Sequence, residues 1–251
     1  MSGHSKWSTI KRKKGAADAK RGAVFTRLTR EIVMAARDGG SDINGNFRLR
    51  LAVDKARSEN MPKDNIERAI RRGAGEDKDA ALFEQITYEG YAPHGVAVMI
   101  ECVTDNRNRT VAELRHALTK AGGSMGELGS VAWQFERVAY FAFPSSAMNY
   151  DKAFELGIEA GANDVNDDNG TIEIIGPAET FKDIADRLHA AGVQPEEAGL
   201  RMIPKQELEL DVDPTVHVMK ALENIEELDD VQNVFSNLKV SEDALAALEA
   251  A

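Results

Sequence analysis

The hydrophobic period of this chain changes at the polar segment 73–79, and that change limits the folds it can adopt. Before the segment, apolar residues such as Leu28 and Ile32 recur every three or four positions, which is typical of amphipathic helices. After it, two short runs, 86–91 and 96–103, flank a Pro-His-Gly turn and predict a pair of strands. The sequence therefore predicts a helical N-terminal region followed by mixed α and β structure.

Three helices are predicted in the N-terminal region. The first runs from Lys20 to the glycines at 39–40, and the second starts near Asn46. Pro62 suits the first turn of the third helix, and Gly73 suits its end. Three short helices, each with one apolar face, predict a small bundle.

The segment 138–203 carries its elements in the order strand, helix, strand, strand, helix, strand, which is the ferredoxin-like order. The Asp-Asp-Asn-Gly sequence at 167–170 suits the turn of its central hairpin. The preceding stretch ends in a predicted strand at 131–135 and has only one helix to cover its sheet. A strand, a helix and a strand predicted within 207–235 would complete that sheet, so the ferredoxin-like unit is expected to be an insertion.

The predicted fold class is therefore α+β and multidomain, with an N-terminal three-helix bundle followed by two α+β domains, one ferredoxin-like and inserted in the other. A chain of 251 residues is long enough for two or three domains. The expected division is a flexible basic arm at 1–19, a helical bundle at 20–77, a discontinuous α+β domain at 78–136 plus 206–251, and the inserted domain at 137–205. The arm has almost nothing to bury, so we expect it to stay mobile until it meets a partner.

Charge is divided unequally along the chain. Residues 1–73 hold 18 Lys and Arg against 8 Asp and Glu, a net charge of +10, whereas residues 74–251 hold 13 against 34, a net charge of −21. Clusters of Lys and Arg bind a phosphate backbone because they release its counterions. The acidic remainder repels the same polymer, so we expect a polyanion to bind at the N-terminal end only.

The candidate nucleic-acid contacts are basic residues of the arm and first helix, with one aromatic residue. Trp7 is predicted either to stack on an unpaired base or to pack against its own domain. The basic run 11–14 indicates phosphate contacts, with a solvated tail as the alternative. In the third helix three ion pairs are expected, Lys63–Glu67, Asp64–Arg68 and Glu67–Arg71. They make Arg71 and Arg72 weaker candidates for phosphate contact than the run 11–14. The candidate set is Lys6, Trp7, Lys11, Arg12, Lys13, Lys14, Lys20, Arg21, Arg27 and Arg30.

No pattern in the sequence indicates catalysis, a metal site or a cofactor. The five histidines lack metal-ligand spacing, and Cys102 lies among apolar residues of a predicted strand, as an inert thiol would. The glycines of 122–129 follow a helix and precede a strand, the reverse of a dinucleotide-binding loop. Residues 164–175 resemble a calcium loop but end on Ile175 where a carboxylate is needed. We therefore predict that the protein is not an enzyme and holds no metal or cofactor.

A cytoplasmic location is expected. The chain has a single cysteine, which suits a reducing compartment. We also expect no secretory leader and no membrane contact, because no apolar run approaches the roughly 20 residues of a membrane span.

Two segments keep more than one interpretation. Residues 206–251 hold 12 acidic residues against 2 lysines. They form a solvated surface, a docking surface for a basic partner such as a ribosomal protein, or a guard that prevents the protein from lying flat along DNA. In 105–110, Asp and Asn side chains suit the cap of the following helix, although Asp105, Arg107 and Arg109 would also suit a polar site.

Six motifs spread over the whole chain resemble the YebC/PmpR family. They are residues 3–7, 60–70, 88–91, 104–110, 122–129 and 231–237. The resemblance implies three domains with the ferredoxin-like one inserted in the second. It also implies a more proline-rich linker than the one at 41–47. Bacterial members are labelled DNA-binding transcriptional regulators. Mitochondrial relatives, including the translational activator of cytochrome oxidase subunit I, and some bacterial members resemble ribosome-associated factors that relieve stalling at proline-rich stretches.

Charge and resemblance together predict a non-enzymatic, nucleic-acid-binding regulator of gene expression. The family label favours a DNA-binding transcriptional regulator, for which the helix at 62–72 is the candidate recognition helix. The alternative is a translation factor that binds ribosomal RNA, because a basic arm with an aromatic residue suits unpaired bases. A protein-binding adaptor, in which the arm is dispensable, is the third hypothesis.

Overall fold

The structure, a computed structural model, describes residues 18–76 and 82–250. The chain divides into two compact units: one is Phe135–Lys205, and the other holds the described residues up to Gln134 and from Gln206 onward. Helices and antiparallel sheets alternate in both, which confirms the predicted α+β class. The finer division into an arm and three domains stays a proposal.

The described residues contain eight α-helices and ten strands. In chain order these are α1 (Asp18–Gly39), α2 (Phe47–Ser58), α3 (Lys63–Gly73), β1 (Glu84–Tyr91), β2 (Ala97–Thr104), α4 (Arg107–Lys120), β3 (Ser124–Met125), β4 (Phe135–Pro144), α5 (Tyr150–Glu159), β5 (Asp164–Asp168), β6 (Thr171–Pro177), α6 (Phe181–Ala190), β7 (Glu197–Pro204), β8 (Leu208–Glu209), α7 (Val212–Glu226), β9 (Val231–Ser236), β10 (Leu238–Lys239) and α8 (Glu242–Ala250). No helix among the described residues is long and apolar enough to cross a bilayer.

Helices α1 to α3 form the predicted bundle around a shared apolar core. Buried members of that core include Leu28, Ile32, Leu49, Val53 and Ile66. Asn46 links α1 to α2, because its side chain accepts a hydrogen bond from the Leu49 amide and donates to the carbonyl groups of Ala35 and Gly40. The sequence-predicted start of α2 at Asn46 is therefore confirmed as a cap.

Two helical glycines differ in the space around them. A Cβ atom on Gly73 of α3 would lie 2.5 Å from the Val33 carbonyl oxygen of α1, whereas a Cβ atom on Gly22 of α1 would meet nothing within 4 Å. We expect Gly73→Ala to lower the free energy of unfolding by about 1–3 kcal/mol through overpacking. Gly22→Ala should raise it by about 0.5–1 kcal/mol, because alanine favours the helix. Thermal unfolding of the two variants checks both signs, and equal effects would contradict this difference in packing.

A four-stranded antiparallel sheet with the order β3-β1-β2-β9 forms the centre of the same unit. The β1–β2 hairpin pairs Glu84 with Thr104 and Tyr91 with Ala97, as the sequence predicted for this region. The core between this sheet and its helices contains side chains from β2, α4 and α7, such as Ile100, Leu114 and Val218. Strand β9 comes from the end of the chain, so the late segment completes the sheet.

The unit Phe135–Lys205 has the sheet order β5-β6-β4-β7 with helices α5 and α6, which is the predicted ferredoxin-like arrangement. The β5–β6 hairpin turns at Asn169 and Gly170, whose φ angles are +52° and +88°. Asn and Gly tolerate this left-handed conformation better than other residues, so the Asn-Gly pair specifies the turn.

The prediction of a strand at 131–135 is wrong. A short 3₁₀ helix, Ala132–Gln134, occupies most of it, and β4 begins at Phe135. The cause is Glu89 of β1, whose carboxylate accepts hydrogen bonds from the Val131 and Ala132 amides and so withdraws them from a strand ladder. The short strand β3 and helix α8 were not predicted.

Candidate nucleic-acid interface

The candidate contacts fall into three groups in the structure. Lys6, Trp7, Lys11, Arg12, Lys13 and Lys14 lie outside the described residues. Lys20 and Arg21 belong to the first turns of α1, and Arg27 and Arg30 follow on the same helix. Helix α1 therefore fixes the backbone position of these four residues, whereas the contact prediction for the arm stays a prediction.

Arg27 and Arg30 have partners inside the protein. Arg27 Nη2 donates to the Glu226 carbonyl oxygen at 2.5 Å. Arg30 Nη2 lies 2.7 Å from Asp230 Oδ1, and Arg30 Nη1 donates to the Asp229 carbonyl oxygen. The Arg30 side chain is buried, so its charge is directed into the protein. The sequence predicted phosphate contacts for both arginines, whereas in the structure Arg27 binds the last residue of α7 and Arg30 binds the segment after it.

Asp230 is the shared acceptor of this cluster. Its side chain is 1% exposed and accepts hydrogen bonds from Thr104 Oγ1 at 3.0 Å, Thr110 Oγ1 at 2.7 Å and Arg109 Nη2 at 2.8 Å, in addition to the Arg30 ion pair. We call Arg30, Thr104, Arg109, Thr110 and Asp230 the Asp230 cluster. It joins the bundle, the central sheet and α4 through one carboxylate.

The same cluster lowers the pKa of Asp230. Burial alone would raise that pKa, but the hydrogen bonds from Thr110 and Arg109 and the charge of Arg30 outweigh burial and move it below its usual value. Asp230 is therefore ionised at neutral pH, and the two arginines have a full negative charge to face.

Helix α3 presents cations that the sequence assigned to ion pairs. Of the three predicted pairs only Lys63–Glu67 forms, at 3.5 Å, so the predictions for Asp64–Arg68 and Glu67–Arg71 are wrong. Arg68 and Arg71 are exposed and form no ion pair within residues 18–76 and 82–250. Glu67 lies between two candidate partners four residues away and pairs with Lys63. The outward face of α3 therefore carries two positive charges that no described carboxylate neutralises.

A buried carboxylate, that of Glu89, binds backbone amides of the loop 122–134. Glu89 is 4% exposed and accepts hydrogen bonds from the amides of Gly129 at 2.7 Å, Val131 at 2.7 Å and Ala132 at 2.8 Å. The loop carries exposed Leu128 and Trp133, and Trp133 Nε1 donates to the Ser130 carbonyl oxygen at 3.1 Å. The glycine-rich connector is thus anchored by an ionised side chain, which its sequence did not indicate.

Two family models match the chain. The model of the TACO1/YebC N-terminal domain matches residues 5–76, and that of the TACO1/YebC second and third domain matches residues 83–238. The chain belongs to the TACO1/YebC family. The resemblance drawn from the six sequence motifs is confirmed.

Relatives in the TACO1/YebC family match this chain over its whole length. A protein of Geotalea uraniireducens is 51% identical over 98% of this chain and 98% of its own length, and one of Geobacter sulfurreducens is 50% identical over 99% and 100%. Both are named probable transcriptional regulatory proteins. The crystal structure of a conserved hypothetical protein from Aquifex aeolicus has a TM-score of 0.80 and 42% identity, covering 90% of this chain and 93% of that one. The names of the two relatives refer to transcription.

The Asp105–Thr110 motif of this TACO1/YebC protein makes internal contacts. Asn106 accepts a hydrogen bond from the Arg109 amide and caps α4, as one of the two interpretations expected. Asp105 accepts from Arg109 at 3.0 Å, and Arg107 pairs with Glu84. Asp105 and Asn106 therefore stabilise the start of α4, and Arg107 links that helix to β1.

The described part of this TACO1/YebC protein holds no cluster of three or more His, Cys, Asp or Glu side chains that could bind a metal ion. Cys102 lies fully buried in β2, as expected. Burial, with a smaller effect of the Asp230 charge, raises the pKa of the Cys102 thiol to about 12. A thiol of that pKa stays protonated at neutral pH and is a poor nucleophile.

Proposed function

We propose that this TACO1/YebC protein is a non-enzymatic, DNA-binding regulator of transcription that acts in the cytoplasm. The observation that carries the proposal is the net charge of +10 in residues 1–73 against −21 in the remainder. Residues 1–73 of such a chain attract a polyanion, and the remaining residues repel it. The names of its relatives support transcription as the process.

The proposed contact surface combines the arm with the exposed side of α3. Lys6, Trp7, Lys11, Arg12, Lys13, Lys14, Lys20 and Arg21 would supply charge and one stacking side chain, as the sequence predicted. Arg68 and Arg71 replace Arg27 and Arg30 in this surface, because the latter two have internal partners.

Helix α3 is the proposed recognition helix. Ile66 and Ala69 bury one side of it against the bundle, which leaves the side with Arg68 and Arg71 facing outward. An exposed helix with outward arginines matches what a helix needs to enter a major groove, where Arg is the commonest reader of guanine.

The test is the salt dependence of binding to a labelled DNA duplex. If six or more phosphates are contacted, affinity should fall by about 10³–10⁵ between 50 and 200 mM salt. Replacing the four basic residues 11–14 by alanine should lower the affinity and reduce the slope of log K against log salt by about 3 to 4. Fluorescence anisotropy on the full chain measures both quantities.

A matched control removes the same charge elsewhere. Lys120, Lys152, Lys205 and Lys220 are exposed and lie beyond the basic region, so replacing these four by alanine should leave the slope unchanged. An equal loss in both variants, or a flat salt response, would contradict the proposal.

Fractionation of a lysate on a sucrose gradient separates DNA from ribosomal RNA as the target. The proposal expects the intact protein to stay out of the ribosome fractions. Migration with ribosomes that survives DNase and is lost in the 11–14 variant would instead identify a translation factor.

A further inference from the structure

Helix α5 presents a row of apolar side chains to solvent. Tyr150, Phe154 and Ile158 are 40%, 45% and 47% exposed, and the Tyr150 and Phe154 rings lie 5.9 Å apart. Residues four apart share one side of a helix, so the three form a continuous stripe. Single exposed apolar residues are common, whereas a row of three on one helix is typical of a contact surface. We call these three residues the α5 stripe.

The stripe is not needed to seat α5 on its own sheet. The buried side of the helix consists of Ala153 and Gly157. A Cβ atom on Gly157 would lie 2.8 Å from Val165 Cγ2 of β5, so the helix backbone rests directly on the strand. Small residues thus make the internal contact, and the large apolar side chains lie beside it.

A row of carboxylates follows the stripe. Asp151, Glu155 and Glu159 each come one residue after a member of the stripe and are exposed. Glu159 accepts a hydrogen bond from Arg187 of α6 at 2.6 Å. Asp151 and Glu155 have no ion-pair partner in the described part of the chain. One side of the surface is therefore apolar, and the other carries three carboxylates against one exposed lysine, Lys152.

We propose that α5 is a docking surface for a positively charged, amphipathic segment of a partner protein. The apolar side chains of that segment would cover the α5 stripe, and its Lys or Arg side chains would face Asp151 and Glu155. A polyanion is repelled by the carboxylates, and an uncharged apolar segment would leave them without partners. Charge complementarity therefore selects a basic amphipathic partner.

The docking surface lies on the unit Phe135–Lys205, whereas the helices α1 and α3 belong to the other unit. A contact made by three apolar side chains on one short helix belongs to the weak, transient class of protein interfaces. The two proposals can therefore fail independently.

The test uses a fluorescein-labelled helical peptide with leucines at spacings of three and four flanked by lysines, and the full-length protein. Anisotropy should report binding that weakens roughly tenfold or more in Phe154→Ala, because a central aromatic contact carries much of the affinity of such interfaces. The double variant Asp151→Lys/Glu155→Lys should weaken it similarly. The matched control Glu179→Lys/Asp183→Lys reverses two exposed carboxylates elsewhere in the same unit and should retain at least half of the wild-type affinity.

Two further measurements decide what occupies the surface. Amide chemical shifts of the ¹⁵N-labelled protein should change at 150–159 when the peptide is added. A peptide with glutamates in place of the lysines should not bind. Equal binding of both peptides, or stripe variants that bind like the wild type, would overturn the proposal. If sedimentation shows self-association that Phe154→Ala abolishes, the surface binds a second copy of the chain. If the peptide binds more tightly after deletion of residues 1–17, the surface binds the chain's own arm. Either result also overturns the proposal.

Discussion

Replacing Asp230 by alanine is expected to lower the free energy of unfolding by about 3–5 kcal/mol, since breaking a buried ion pair leaves a buried charge without compensation. Asp230 is 1% exposed and its carboxylate accepts hydrogen bonds from Thr104, Thr110 and Arg109 while pairing with Arg30. Without it, the Asp229 carbonyl group is the one hydrogen-bond acceptor that the described residues leave to the guanidinium of Arg30. The expected loss of stability therefore comes mainly from leaving the charge of Arg30 buried without its carboxylate partner.

Asp229→Ala is the matched control. Asp229 is exposed and carries the same charge, and Arg30 donates to its backbone carbonyl oxygen, which alanine retains. We expect this variant to stay within about 0.5 kcal/mol of the wild type. Cys102 supplies the measurement, because it is the single cysteine of the chain and is fully buried in the same unit. Its rate of labelling by a thiol reagent in increasing urea reports the opening of this unit, and equal rates in both variants would contradict the role of the Asp230 cluster.

The pH dependence of the stability difference between wild type and Asp230→Ala gives a second check. Burial by itself would raise the Asp230 pKa, but hydrogen bonds from Thr110 and Arg109 and the charge of Arg30 lower it below its ordinary value. A carboxylate whose pKa is depressed in the folded state stabilises the fold above its unfolded-state pKa, about 4. That stabilisation is lost as pH falls through the folded-state pKa. The difference between wild type and Asp230→Ala should therefore be full at pH 7 and shrink below about pH 4.

Local signals in the sequence were sufficient for most of the fold. Asn46 and the glycines at 39–40 mark a helix boundary through their own side-chain and backbone chemistry, and the Asn-Gly pair at 169–170 specifies a turn in the same way. The failure at 131–135 has a different origin. The amides of that segment are bound by Glu89, which lies more than 40 residues earlier in the chain and leaves no trace in the local pattern.

The candidate interface was less predictable for the same reason. Arg30 belongs to a basic run by sequence, but its partner Asp230 is 200 positions away in the chain. In α3 the spacing allowed three ion pairs, yet Glu67 is shared by two of them and pairs with Lys63 rather than Arg71. Spacing shows which pairs are possible, whereas the competition between them is decided by side-chain geometry. Arg68 and Arg71 therefore emerge as candidates only in the structure.

Glu89→Ala is expected to release the loop 122–134 and to lower the free energy of unfolding by about 3 kcal/mol, because hydrogen bonds to a charged acceptor contribute roughly 1.5–3 kcal/mol each and water can replace part of the loss. The buried carboxylate binds the amides of Gly129, Val131 and Ala132 at 2.7–2.8 Å. Glutamine in its place keeps one acceptor but turns an NH₂ group toward backbone donors. Glu89→Gln should therefore recover only part of the stability.

Hydrogen exchange locates this effect, and Glu127→Ala is its control. Glu127 is exposed on the same loop, so its loss should leave the three amides protected, whereas Glu89→Ala should speed exchange of all three by a larger factor than at the amides of β2. The sign of the pH effect follows from the Glu89 pKa. Burial would raise it, but the backbone hydrogen bonds from Gly129, Val131 and Ala132 lower it, so the loop stabilisation is present above the unfolded-state pKa and lost on acidification. Protection of these amides that persists in Glu89→Ala at neutral pH would mean that the loop is held by its glycine turns, and that the exposed Leu128 and Trp133 are positioned without the carboxylate.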